Sequence, residues 1–161
     1  MNKQAGVLVI IERQSHSLIL TKRSLQLSIH AGEVSFPGGR WQRGDKDIQY
    51  TALRETHEEI GIEPQRIHII QPMDKVFTLT GYEISPYLAE VDCVSGYQLQ
   101  IEEVEQLIKL PIEKVKEKKS YQMMTRQFGG VNVKTLSFEH PEHLIWGATA
   151  KIMWQLVDLL S

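Results

Sequence analysis

Three carboxylates, Glu55, Glu58 and Glu59, stand at i, i+3 and i+4 in the helix-sized run from Ala52 to Ile62. At about 3.6 residues per turn, those positions share one side of a helix. Like charges that close weaken an isolated helix by about 0.2–0.5 kcal/mol per pair. A divalent cation between them reverses the sign of the interaction. An all-oxygen donor set points to Mg²⁺ or Mn²⁺ rather than to zinc. Such an ion acts as a Lewis acid and lowers the pKa of a bound water. The competing reading of the helix alone is a solvated, salt-bridged face. Arg54 precedes the first glutamate and carries a rigid five-donor fork. As a plain surface ion pair it would contribute only about 0–1 kcal/mol. Upstream, Phe36-Pro37-Gly38-Gly39 reads as a tight turn whose glycines let a ligand approach the main chain.

These residues need a scaffold. Residues 6–11 read as a buried strand and 17–21 as its antiparallel partner across a polar turn. Residues 24–33 read as irregular and 33–36 as a short strand. The acidic helix is expected over 46–60, with Asp45 or Asp47 as N-cap, Gly61 as its stop, and Ile48, Ala52, Leu53 and Thr56 facing the core. Strands are expected at 67–70 and 82–91, where Pro86 implies an edge or a bulge. Glu102–Ile108 reads as a helical turn or short helix, and 111–115 as another, before the charge run 116–119. A hairpin is expected across Gly129-Gly130, then an amphipathic helix over 148–160. His140-Pro141-Glu142-His143 reads as a loop, because its proline prevents the regular helix of a His-Glu-x-x-His metal site.

The run Arg54, Glu55, Glu58, Glu59, Gly61, Ile62 resembles the Nudix box, G-x5-E-x7-R-E-U-x-E-E-x-G-U with U apolar. Thr56 stands where an apolar residue is expected. Strict spacing would put Arg40 and Lys46 on the leading glycine and acid. A shift of one residue puts Gly39 and Asp45 there instead, with one extra residue before Arg54. That spacing is similar to the coenzyme A diphosphatase branch, which carries L-L-T-x-R-[SA]-x3-R-x3-G-x3-F-P-G-G upstream. Leu18 to Ser24, Gly32 and Phe36 to Gly39 follow this pattern; Ser28 replaces its internal arginine, and Gln42 stands where the branch often has an acid. The runs 51–55 and 145–150 also look like this branch.

The resemblance spans roughly residues 5–155 and implies one α+β domain over 1–161, the Nudix fold: a mixed β-sheet sandwiched between helices. It implies Glu55, Glu58 and Glu59 as ligands of Mg²⁺ or Mn²⁺. Arg54 is implied as the residue that orients the glutamates, and Glu103, with Glu102 and Glu105 as rivals, as a further ligand or base. Catalytic roles are thereby expected for Glu55, Glu58, Arg54 and Glu103. Substrate contacts are expected at Arg23, Gly38 and Gly39. Arg23 is the expected phosphate clamp, and the expected cation for the 3′-phosphate of coenzyme A. His30 reads as a surface or supporting residue, and Trp146 as a packed tryptophan that could otherwise stack a base. The implied reaction cleaves coenzyme A or an acyl derivative to 3′,5′-ADP and 4′-phosphopantetheine. The alternatives are another nucleoside diphosphate derivative, NADH or ADP-ribose, and a non-catalytic nucleotide-binding domain.

Composition agrees with one globular domain. The chain has 161 residues, 42% of them apolar, and a formal net charge of −2. No global field favours nucleic acid, so an anionic small molecule must be drawn by local cations or a metal. The single cysteine, Cys93, excludes an internal disulfide and reads as a small buried strand residue. Neither a signal peptide, a membrane span nor a peroxisomal ending is legible. A cytoplasmic monomer or homodimer acting on a nucleotide-diphosphate substrate is the expectation.

Overall fold

The computed structural model describes residues 3–161. β1 (Gln4–Glu12) and β2 (Ser17–Arg23) are joined by the expected polar turn. They pair antiparallel only at Ile11↔Leu18 and Glu12↔Ser17, then part like a fork. Two short strands fill the opening. β3 (Val34–Ser35) pairs with the far end of β2, and β4 (Gly38–Arg40) pairs with the start of β1, Gly6 opposite Gly39. The glycine pair expected as a tight turn is therefore strand β4; Phe36-Pro37 makes the passage between the two tines. Pro37 still contributes its carbonyl, which accepts from the Leu8 N–H at 2.9 Å.

α1 (Ile48–Ile60) follows, two residues shorter at its start than expected. The Asp47 side chain caps it by accepting from the Tyr50 N–H at 2.7 Å, and Gly61 ends it in the left-handed region at φ 73°. β5 (His68–Pro72), β6 (Val76–Phe77) and β7 (Glu83–Val91) come next. β7 is an interior strand, parallel to β1 on one side and antiparallel to β5 and β6 on the other. Pro86, expected at an edge or a bulge, sits opposite the gap between β5 and β6, where a missing ladder N–H costs nothing. The register shift belongs to the partner strand, between Ile69 and Gln71. Cys93 lies beyond β7 in a loop and is partly exposed, not buried in a strand.

The segment expected as a helix over 102–108 is a turn followed by β8 (Val104–Pro111), antiparallel to β2. A register shift opposite Lys22 and Arg23 blurs the alternation that would have identified it. α2 (Ile112–Val115), then the hairpin of β9 (Tyr121–Phe128) and β10 (Val131–Phe138), follow as expected. β11 (Ile145–Trp146) joins β10 in this second, three-stranded sheet, and α3 (Gly147–Leu159) closes the chain.

Side-chain alternation in β1 and β2 builds two apolar layers. Leu8, Ile10 and Ile19 pack with Ala52 and Ile60 of α1 on one face. Val9, Leu18 and Leu20 pack with Ile152, Met153 and Leu156 of α3 on the other. The main sheet thus lies between helices, the sandwich the sequence implied. Among the described residues no helix is long and apolar enough to cross a membrane.

Candidate active site

α1 lies across the fork, and its acidic side faces β4. At 100° per residue, Glu55 and Glu59 point about 40° apart, whereas Glu58 points about 60° to the other side of Glu55, toward Arg54. The carboxylates divide accordingly. Glu55, Glu59 and Glu103 offer oxygens that all lie within 4.8 Å of one another. Glu58 is instead drawn onto Arg54, whose Nη1 donates to it at 3.1 and 3.2 Å and to Glu55 at 3.0 Å.

Glu103 arrives from a distant loop held by main-chain bonds. The N–H groups of Gln98 and Gln100 donate to the carbonyls of Ile60 and Glu59, each at 2.9 Å. The Glu103 carbonyl accepts from the Ser24 N–H at 2.9 Å, which ties the loop to the end of β2. Its rivals lie elsewhere: Glu105 pairs with Lys22 at 3.4 Å, and Glu102 stands outside the cluster.

Arg54 is anchored from behind. The buried Asp45 carboxylate accepts from Arg54 Nε at 2.8 Å and Nη2 at 2.9 Å, a bidentate fork, and from Thr51 Oγ1 at 2.8 Å. The Arg54 guanidinium, foremost by this hydrogen bonding, holds the Asp45 carboxyl down at about 2. Asp45 was visible in the sequence as the acid of the shifted box, but its job as the seat of Arg54 needed the fold. Asp45→Asn is expected to lower stability by about 1.5–3 kcal/mol, the contribution of a charge-assisted hydrogen bond. A depressed carboxyl stabilises the fold above its ordinary pKa, 3.8, and that contribution is lost as pH falls through about 2. Urea titrations should therefore show a gap between parent and variant at pH 7 that narrows below pH 4.

The two glycines of β4 differ in what they make possible. Gly38 has φ 152°, and a Cβ there would sit 2.3 Å from the Gly6 carbonyl oxygen. Its N–H donates to Glu59 Oε1 at 2.9 Å. Gly39 has no such backbone angle. A Cβ on it would lie 2.5 Å from the Glu55 carboxyl carbon, so its hydrogen makes room for the carboxylate.

Burial pushes the Glu59 carboxyl up to about 8, and Glu55 and Glu103 add to this against the Gly38 N–H and Arg23. Burial also raises Glu55. Three clustered carboxylates, one buried and poorly solvated, form an oxygen set whose charge Arg54, 3.0 Å from Glu55, only partly offsets. A divalent cation fits such a set, and Glu55, Glu59 and Glu103 are the residues that could hold it. A raised carboxyl binds protons more tightly folded than unfolded. Its contribution is complete below about 4.5 and lost as pH rises through about 8. The melting temperature of metal-free protein should fall between pH 5 and 8, and Glu59→Gln should remove most of that slope. Added Mn²⁺ should raise it more at pH 8 than at pH 6, because metal and proton compete for one carboxylate.

Beside this centre opens a cavity of about 540 Å³. Gly39 lines it and also abuts the Glu55 carboxylate. Arg23, Arg40, Lys134 and Lys151 line it against one acid, Glu33. Arg23 donates through Nη2 to the Ile29 carbonyl at 3.3 Å, while its buried Nε has no partner. It lines the cavity together with Gly39, the residue that abuts the Glu55 carboxylate. His30 stands 3.1 Å from Glu33 on the cavity rim, and the His140–His143 segment is a loop. Trp146 is part-buried at the cavity wall.

Comparison with known proteins agrees with this fold. The NUDIX domain family profile matches residues 2–127. The chain is 30% identical over 155 residues to the uncharacterized Nudix hydrolase NudL of Enterobacter sp. (strain 638), covering 96% of this chain and 81% of that protein. It is 31% identical over 161 residues to NudL of Yersinia pestis (strain Pestoides F), covering 99% and 81%. Among solved structures, DR0079 of Deinococcus radiodurans superposes with a TM-score of 0.63 at 14% identity, covering 94% of this chain and 80% of that one. The C. elegans Ap4A hydrolase binary complex gives 0.58 at 22%, covering 68% and 80%.

Proposed function

Because the chain belongs to the Nudix hydrolase family, whose members act on phosphorus anhydrides, we propose that its substrate is coenzyme A or an acyl-coenzyme A. The diphosphate is cleaved to 3′,5′-ADP and 4′-phosphopantetheine or its acyl form. The observation that carries this reading is the acidic centre opening, past Gly39, onto a cavity with four cations and one acid. Two residues of the branch signature, Arg23 and Gly39, line the cavity, as does Ser28, which stands where the branch has arginine. The intact acidic cluster argues against a domain that only binds nucleotide.

A divalent ion, Mg²⁺ or Mn²⁺, supplies charge neutralisation at the diphosphate oxygens and a more acidic water when bound. Glu55 and Glu59 hold it. Glu103, exposed and delivered by a separate loop, joins them or accepts the proton of the attacking water. Arg54, seated on Asp45, orients Glu55 and keeps Glu58 beside it; Glu58 completes the charge around the guanidinium. Arg23 holds a diphosphate oxygen, and the β4 glycines let the diphosphate approach the main chain.

Dephospho-coenzyme A, NADH and ADP-ribose, run beside coenzyme A, test the substrate assignment. Coenzyme A should be preferred to dephospho-coenzyme A about tenfold in kcat/KM, the lower end of what one charged contact supplies. Ser28 lines the cavity and is exposed, so Ser28→Arg should sharpen that preference. Arg23→Ala should slow both compounds alike, because the diphosphate is common to them. Turnover of NADH or ADP-ribose with neither coenzyme A compound touched would overturn the assignment.

A further inference from the structure

The cavity has one wall that hydrolysis itself does not use. The second sheet and the start of α3 build it, through Phe128, Lys134, Trp146 and Lys151. The Arg126 guanidinium lies over the Trp146 ring, 4.1 Å from its centre. Arg126 is not part of the cavity lining, so this contact braces the indole from outside the space a ligand would occupy. Lys134 and Lys151 are exposed and, among the described residues, neither is in an ion pair. The lone acid of the lining, Glu33, is engaged with His30 instead. A braced aromatic ring in a cavity that two uncommitted lysines also line suits a nucleobase whose sugar bears a phosphate: stacking for the ring, charge for the phosphomonoester.

Resting on the reading of the substrate as coenzyme A, we propose that this wall is the nucleotide-recognition site. The adenine stacks on Trp146, and Lys134 and Lys151 bind the ribose 3′-phosphate. Arg23, the cation expected from the sequence for that phosphate, is left to the diphosphate, since it lines the cavity together with Gly39. The two ends of the substrate are thereby divided. The diphosphate lies by Gly39 and Arg23, the adenosine lies against the second sheet, and the pantetheine arm is left to the side of Phe77, Leu79 and Tyr82. The second sheet acts as a specificity element on a hydrolytic core that would otherwise accept any diphosphate.

Tryptophan fluorescence tests the site without turnover, using 3′,5′-ADP and 5′-AMP as probes. In the parent, 3′,5′-ADP should change the emission and bind about tenfold more tightly than 5′-AMP. The Lys134→Ala/Lys151→Ala double variant should bind the two nucleotides equally, with its melting temperature unchanged. Trp146→Phe should lose the emission change and bind both nucleotides more weakly. Equal binding of the two nucleotides by the parent, or an unaltered preference in the double variant, would overturn the proposal. The reaction stands or falls separately. Coenzyme A cleaved by a double variant that keeps its preference refutes this wall alone. A lysine-dependent preference in a protein that leaves coenzyme A intact upholds the wall and refutes the substrate.

Discussion

Glu59→Gln is expected to lower turnover by a factor on the order of ten to a thousand, with folding retained. Glutamine keeps the shape and one acceptor oxygen, so the Gly38 N–H keeps its partner. What disappears is a full negative charge at the most buried corner of the cluster. Removing that buried charge also removes a source of repulsion, so the metal-free variant should be no less stable than the parent at pH 8. Loss of activity together with equal or higher stability is a signature that a merely structural glutamate would not give. Glu55→Gln should behave similarly in turnover, with a smaller change in stability, because Glu55 is the more exposed and is partly balanced by Arg54. Steady-state rates and thermal melts on the three proteins check both statements. Parent rates in both variants would reduce the acidic side of α1 to a structural feature.

The second large effect is at β4. Gly39→Val should remove most activity, because its Cβ would take the space of the Glu55 carboxylate. The obstructing group is the end of a side chain, which can swing away, so the loss of stability should be moderate. Gly38→Val is a different case. There the Cβ would meet the Gly6 carbonyl oxygen at 2.3 Å and the Val7 Cα at 2.6 Å, and φ is 152°. Backbone cannot yield without parting β4 from β1, so this variant should fail to fold. Circular dichroism and a rate assay on the pair separate the roles: Gly39 makes room for chemistry, Gly38 makes the strand. A Gly39→Val protein with parent activity would contradict the close approach of β4 and Glu55.

The elements whose signals are local were legible in the sequence. α1 carries its own cap in Asp47 and its own stop in Gly61, and the β9–β10 hairpin carries its glycine pair. β8 was not legible, because Glu102-Glu103 looks like a helix start and the bulge beside Arg23 interrupts the alternation. Pro86 misled for a related reason: what excuses its missing N–H is a gap between two other strands. In the site, helical spacing places Glu55, Glu58 and Glu59 on one side but does not say which of them Arg54 captures. That depends on Asp45, which fixes the guanidinium from the far side. Glu103 could be named from the resemblance, whereas the bonds of Gln98, Gln100 and Ser24 that deliver it join segments far apart in sequence. The cavity wall around Trp146 is the least legible part, since β10, β11 and α3 meet the β1–β2 fork only in the folded chain.

The most direct test of the account is chromatography of coenzyme A incubated with the purified protein, with Mg²⁺ or Mn²⁺ and with a chelator. The account predicts equal amounts of 3′,5′-ADP and 4′-phosphopantetheine with metal and neither product with chelator. Intact coenzyme A in the presence of metal, or cleavage that chelation leaves unchanged, would contradict it.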